Sequence, residues 1–210
     1  MEAPLKSELI LDSLQELLQE RDIDKISVSD IAENIGIAKG SIYYYFPSKE
    51  AIVDALIERN YKKAIETARK LESKKDVSCI ERMEKIFIAC QESSKELLKN
   101  RRPTISAENN NPVLLKEQAY IHAKYMKYII RELKPSLTEI IKQQIEEGTL
   151  KFDYPEQLAE ILLIVLTVKL DNSLIPSTKE DISKLFEALI SLLENGADSS
   201  TGVLNYLTKI

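Results

Sequence analysis

The chain has 210 residues, 44% of them hydrophobic and 30% charged, with a formal net charge of -5, two cysteines and one histidine. That is enough apolar chain to bury a core, and its acidic balance excludes a protein that grips nucleic acid by overall positive charge. The lone histidine and the absence of a Cys-x-x-Cys spacing leave no zinc site and no metal centre.

Apolar spacing predicts a first helix over about Leu5 to Arg21. The segment 27–50 follows and is the most informative part of the chain. Ser27 can cap a helix, with Asp30 three residues on completing a capping-box pair. Ile31 and Ile35 lie four apart on the inner face of that helix, and Ala32 lets a second helix cross closely. Gly36 supplies positive φ after the helix, and Ile37 is expected to plug the turn. A second helix, Lys39 to Tyr45, turns Ile42 and Phe46 to the core and leaves Lys39, Ser41, Tyr43 and Tyr45 outside. Gly40 near its start allows a close backbone approach, and Pro47-Ser48 ends it and caps the next helix. Two short amphipathic helices around a glycine turn are the apparatus that places a recognition helix in the DNA major groove.

A long helix is predicted over about Lys49 to Leu71, and another over Val77 to Lys99. Cys79 and Cys90 fall on one face of the latter, about 16 Å apart by helix rise, too far to bridge. Pro103 and Asn109-Asn110-Asn111-Pro112 mark breaks before a helical region from Val113 to Glu147, which Pro135 is expected to interrupt or kink and Gly148 to close. Two further helices are predicted over about 155–172 and 179–195, the second capped by Thr178 and ended by Gly196. Residues 199–210 form a short helix or fray. No strand pattern, phosphate loop or repeat is present, so the fold class is all-α.

The helix over 155–172 is apolar on two sides: Leu158, Ile161, Leu162, Val165 and Val168 form one stripe, and Leu163, Ile164, Leu166 and Leu170 the other. The helix over 179–195 has a similarly wide apolar arc, from Ile182 and Phe186 to Leu193. Helices apolar all round must be covered, which predicts a two-fold homodimer through this pair. Leu158 to Leu170 falls short of the roughly twenty residues that cross a bilayer, and the start lacks a signal peptide, so no membrane partner and a cytoplasmic location are expected.

The run Ile31-Ala32 to Ile35-Gly36-Ile37-Ala38-Lys39-Gly40-Ser41-Ile42-Tyr43-Tyr44-Tyr45-Phe46-Pro47-Ser48-Lys49-Glu50 resembles the signature of TetR-family transcriptional regulators, over about residues 5 to 60. The resemblance implies an N-terminal three-helix DNA-binding unit (1–48), a connecting helix (49–71) and a larger C-terminal helical domain (72–210) that dimerises and binds a small effector. It implies that Lys39, Gly40 and Ser41 touch bases or backbone, that Tyr43 and Lys49 hold phosphates, and that Tyr45 reaches the DNA. Ser27 and Ser29 sit where the preceding helix offers its N-terminus to a phosphate, and Ser29 stands where some members carry a larger, base-reading residue. Tyr44 fits either packing or a phosphate contact. The segment 36–49 holds Lys39 and Lys49 and no acid, so the surface nearest DNA is locally positive while the chain is not.

Met83, Phe87 and Cys90 on one helix, and Gln118, His122, Tyr125, Met126 and Ile129 on another, are the candidate lining of an effector pocket: mostly apolar with a few polar groups. The alternative reading is ordinary core. No nucleophile elbow, paired carboxylates or cofactor motif points to an enzyme. The expected function is a DNA-binding regulator, most simply a repressor that a small molecule releases from a pseudo-palindromic operator with half-sites about 34 Å apart or a multiple of it. The competing reading is a helical adaptor or regulator that binds a protein partner.

Overall fold

The computed structural model describes residues 5–98, 112–171 and 178–195. Helices α1 (Lys6–Glu20), α2 (Val28–Asn34), α3 (Lys39–Tyr45), α4 (Lys49–Glu72), α5 (Cys79–Leu98), α6 (Pro112–Glu146), α7 (Pro155–Asp171) and α8 (Lys179–Asn195) follow in order, with a 3-10 turn at Ile23–Lys25 after α1. No strand occurs among the described residues. The 199–210 segment and the Gly196 stop fall outside them, as do Pro103 and the Asn109-Asn110-Asn111 break.

Ile10, Leu14 and Leu17 repeat at helical spacing along α1 and are buried, while the Ser13 hydroxyl donates 3.2 Å to the Ile31 carbonyl of α2. Helices α1 to α3 and the start of α4 therefore form one small head around Ile10, Ile31, Ile42 and Ile52, each 0% exposed. Helix α4 spans 24 residues, about 36 Å of rise. Its apolar stripe, Ile52, Leu56, Tyr61, Ala64, Ala68 and Leu71, is buried from end to end. The helix packs on α1, then on α5 and α6, so it joins the head to the helical body. An ion pair fixes the head to it: Arg59 reaches Asp12 at 2.7 Å and Glu8 at 3.2 Å, and donates to Gln15 at 2.7 Å.

Helix α6 is continuous through Pro135, so of the interruption or kink expected from the sequence the interruption does not occur. The proline is exposed, so the carbonyl it leaves without an N–H faces water, while Leu133, Leu137, Ile140 and Ile141 hold the opposite side in the core. Gly148 closes the region at φ 74°, as its sequence position predicted. Lys134 pairs with Glu160 at 2.6 Å and Glu156 at 3.2 Å, tying α6 to α7.

The two apolar sides of α7 divide differently from the sequence expectation. Leu158, Leu162, Leu163 and Leu166 all face inward, although they were assigned to two stripes, whereas Ile161 and Ile164 are 48% and 42% exposed. Leucines three to five apart share the buried arc, and the two isoleucines share the other side. Helix α8 belongs to a second compact unit, residues 175–210. Thr178 and Asp181 exchange capping bonds at its start, with Leu192 58% exposed along it. The side chains of Ile182, Phe186 and Leu193 lie outside the described ones.

Candidate nucleic-acid interface

Short-range chemistry builds the head. Ser27 Oγ accepts the Asp30 backbone N–H at 3.2 Å, the Ser27 N–H donates 2.7 Å to the Asp30 carboxylate, and the Ser27 hydroxyl binds the same carboxylate. Arg21 adds an ion pair at 3.0 Å. The Ser27 hydroxyl and N–H, and then Arg21, hold the Asp30 carboxyl below its ordinary value. Helix α2 ends at Gly36, φ 68°, and the Ile37 N–H returns 2.9 Å to the Ala32 carbonyl. Ile37 is half-buried, so it lines the turn without being fully enclosed in it. A Cβ at Gly36 or at Gly40 meets no atom within 4 Å, so Gly36 is needed for its dihedral angle and Gly40 faces open space.

Helix α3 has a single fully buried side chain, Ile42, and Phe46 is half-buried behind it. Tyr43, Tyr44 and Tyr45 are 47%, 84% and 39% exposed. Tyr44 and Tyr45 pack edge to face with centroids 5.1 Å apart. The exposure of Tyr44 settles the choice between packing and outward display: its ring points to solvent. Lys39 and Gly40 are exposed at the start of α3, with Ser41 half-buried beside them and Ser27 and Ser29 exposed at the start of α2. These residues thus lie at or near the starts of two helices of one head, where the Ser27 hydroxyl and N–H are already engaged by Asp30.

Lys49 differs from the rest. It is half-buried, and its ammonium donates to the carbonyls of Ile23 and Ile26 at 2.6 and 2.8 Å. The 3-10 turn that presents those carbonyls has no periodic apolar pattern, and nothing in the sequence announces it. Ser48 caps α4, accepting the Ala51 N–H at 3.2 Å. The Glu50 backbone N–H, then the Ser48 hydroxyl and the nearby Lys49 charge, lower the Glu50 carboxyl from its ordinary value.

The candidate effector residues occupy the helical body. Cys90, His122, Tyr125 and Ile129 are buried, and Met83, Phe87 and Met126 half-buried; the side chain of Gln118 lies outside the described ones. Tyr125 packs on Tyr61 of α4 with centroids 4.9 Å apart and meets the His122 ring edge to face at 5.9 Å. Two surface clefts flank α4. One, of about 720 Å³, lies against α5 and carries Lys63, Lys70, Lys74 and Lys85 over Leu71 and Ile88. The other, of about 240 Å³, lies against α6 between Asp54, Glu58, Lys124 and Arg131. None of the seven candidate effector residues with described side chains lines either cleft. Both cysteines are free and buried, and burial pushes the Cys90 thiol up to about 12.

One buried group escaped the sequence reading altogether. Arg82 of α5 is 1% exposed. It donates to the Glu72 carbonyl at 3.1 Å, the Leu71 carbonyl at 3.4 Å, Gln143 Oε1 at 2.7 Å and Cys79 Sγ at 2.8 Å. It has no carboxylate within ion-pair distance among the described residues, and the C-terminal carbonyls of α4 supply the negative potential instead.

A head that turns about a left-handed glycine and leaves three tyrosines and a lysine in solvent on its second helix is a helix-turn-helix DNA-binding module. Two family models match the chain: "Bacterial regulatory proteins, tetR family" over residues 10–56, and "Tetracyclin repressor-like, C-terminal domain" over residues 100–191. The chain belongs to the TetR family of bacterial transcriptional regulators. The HTH-type transcriptional regulator EthR of Mycobacterium tuberculosis is 44% identical over 50 residues, which are 24% of this chain and 23% of that protein. Among solved structures, the fatty acid degradation regulator FadR from Bacillus halodurans superposes with a TM-score of 0.63 at 19% identity, covering 95% of this chain and 100% of the other. FadR from Bacillus subtilis in complex with stearoyl-CoA gives 0.59 at 21% identity, covering 90% and 98%. These two likenesses concern the fold. No helix among the described residues is long and apolar enough to cross a membrane.

Proposed function

We propose that the chain is a sequence-specific repressor that binds a pseudo-palindromic double-stranded operator as a homodimer and is released by a small-molecule effector. The observation that carries this reading is the outer face of α3. Three aromatic rings and Lys39 are left in water on a seven-residue helix anchored by Ile42, and large exposed patches of this kind mark binding surfaces. Tyr43, Tyr45 and the helix starts at Ser27, Ser29, Lys39, Gly40 and Ser41 contact backbone or bases, and the exposure of Tyr44 supports a phosphate contact for it. The head is residues 1–48, joined by the connecting helix to the effector and dimerisation domain, 72–210.

Exposed Ile161 and Ile164 on α7 support dimerisation through this helix, and the apolar arc of 179–195 extends the same argument. The stearoyl-CoA in a structural neighbour supports an apolar effector held by the helical body. The protein acts in the cytoplasm and catalyses no reaction. Anisotropy titration of the wild type and Tyr43→Ala against the intergenic DNA flanking the gene, with scrambled DNA at the same salt, tests the reading. Preference for the native duplex and about tenfold weaker binding by the variant are expected. Equal binding of both duplexes by both proteins would favour an adaptor that recognises a protein.

A further inference from the structure

Lys49 is the first residue of α4, where the positive end of a 24-residue helix disfavours a cation. Its side chain carries the charge away from that end. Nζ donates 2.6 Å to the carbonyl of Ile23 and 2.8 Å to that of Ile26, partners 26 and 23 residues earlier in the chain. The side chains of Ile23 and Ile26 are each 1% exposed, so the turn after α1 is held by core packing on one side and by the ammonium on the other. Ile26 directly precedes Ser27, the N-cap of α2, and Ser48 at the head of α4 directly follows the end of α3 at Phe46-Pro47. The contact thus closes the loop of chain that contains both DNA-binding helices.

We propose that Lys49 is a positioning residue: its ammonium clamps the Ile23–Ile26 turn to the start of α4 and so sets the stance of α2 behind α3, in place of serving as a phosphate contact. Two of its three N–H groups are committed to carbonyls, which leaves at most one for a phosphate. A side chain without donors leaves both part-buried carbonyls without this partner, at a cost larger than that of losing an exposed contact. Lys39 has no such anchor: it is exposed and makes no ion pair among the described residues. The clamp concerns the head alone, while its effect on DNA affinity rests on the function proposed above.

The test compares Lys49→Met, Lys49→Arg and Lys39→Met with the wild type by thermal melting, amide hydrogen exchange and the salt dependence of binding to a duplex of arbitrary sequence. Lys49→Met is expected to lower the melting temperature by about 5 °C, to speed exchange of the 27–30 amides by about tenfold and to weaken binding with the salt slope unchanged. Lys49→Arg, which keeps donors and charge, is expected to restore most of the melting temperature. Lys39→Met is expected to leave melting alone and to reduce the slope by about one per subunit. Unchanged melting and exchange in Lys49→Met, with a slope reduced by about one per subunit, would overturn the clamp. The wild type supplies a second readout that no folding failure can remove. The Lys49 ammonium protons should exchange with water more slowly than those of Lys39, and equal rates would also overturn it. If no protein binds DNA, the functional reading fails, whereas melting and exchange still decide the clamp.

Discussion

In the head, the polar contacts that cap and turn the helices join residues three to five apart, Ser27 with Asp30, Ala32 with Ile37, Ser48 with Ala51, although Ser13 to Ile31 and Lys49 to Ile23 span 18 and 26 residues. In the body they join residues far apart in the chain. Arg82 reaches Gln143, 61 residues on, and Ser136 donates 2.7 Å to Glu72, 64 residues back. The head is thus a set of local turns whose geometry is written in consecutive residues, and the body a set of plain amphipathic helices joined by a buried polar knot at the end of α4. Helix α4 belongs to both, held to α1 by Arg59 and to α5 and α6 at the Arg82 junction.

The largest effect should come from the body. Arg82→Met removes the donors to two α4 carbonyls and to Gln143 in a site that is 1% exposed, and should cost about 3 kcal/mol in denaturant unfolding. A cost equal to that of a surface substitution would show that the long-range knot does not hold the body. Gly36→Ala should cost about 1–2 kcal/mol, because φ is 68° there while no atom obstructs the new Cβ. Ser27→Ala should cost about 1 kcal/mol and weaken DNA binding with it. Tyr44→Ala, by contrast, should change stability by no more than about 0.5 kcal/mol while lowering operator affinity, since its ring is 84% exposed. A matching loss of stability would make Tyr44 part of the head's packing.

The smallest effects are those of pH. Asp30 has its pKa lowered from the ordinary 3.8 by Ser27 and Arg21. Its contribution is therefore complete above that value and lost as pH falls through the depressed one. Melting curves should show wild type and Asp30→Asn converging as the solution is acidified. At the alkaline end Cys90, raised to about 12 by burial, stabilises the fold below its unfolded value of 9.0 and loses that contribution as pH rises toward 12. At pH 8, mass spectrometry after alkylation should find Cys90 unmodified in the folded protein.

The same division explains what the sequence revealed. The Ser27 cap, the Gly36 turn, the Ser48 cap and the outward face of α3 were legible because each is a pattern within a few residues. The carbonyl partners of Lys49 lie 23 and 26 residues away on a 3-10 turn that has no apolar period, so the resemblance alone assigned that lysine to a phosphate. Nothing in the sequence marks Arg82 as buried, since arginine rarely is, and only the meeting of α4, α5 and α6 encloses it. Helix α7 is apolar nearly all round, which leaves its inward arc undetermined by period alone. Pro135 does not end α6, because it lies on the exposed side of a helix whose other face is held by the core.

Selection of bound duplexes from a random-sequence DNA library by the wild-type protein tests the central claim most directly. Enrichment of a pseudo-palindrome, with half-site centres about one helical turn apart or a multiple of it, and its loss with Tyr43→Ala, is the predicted result. Recovery of no common sequence, or of the same sequences by the variant, would contradict a reading in which α3 is the recognition helix of a two-fold dimer.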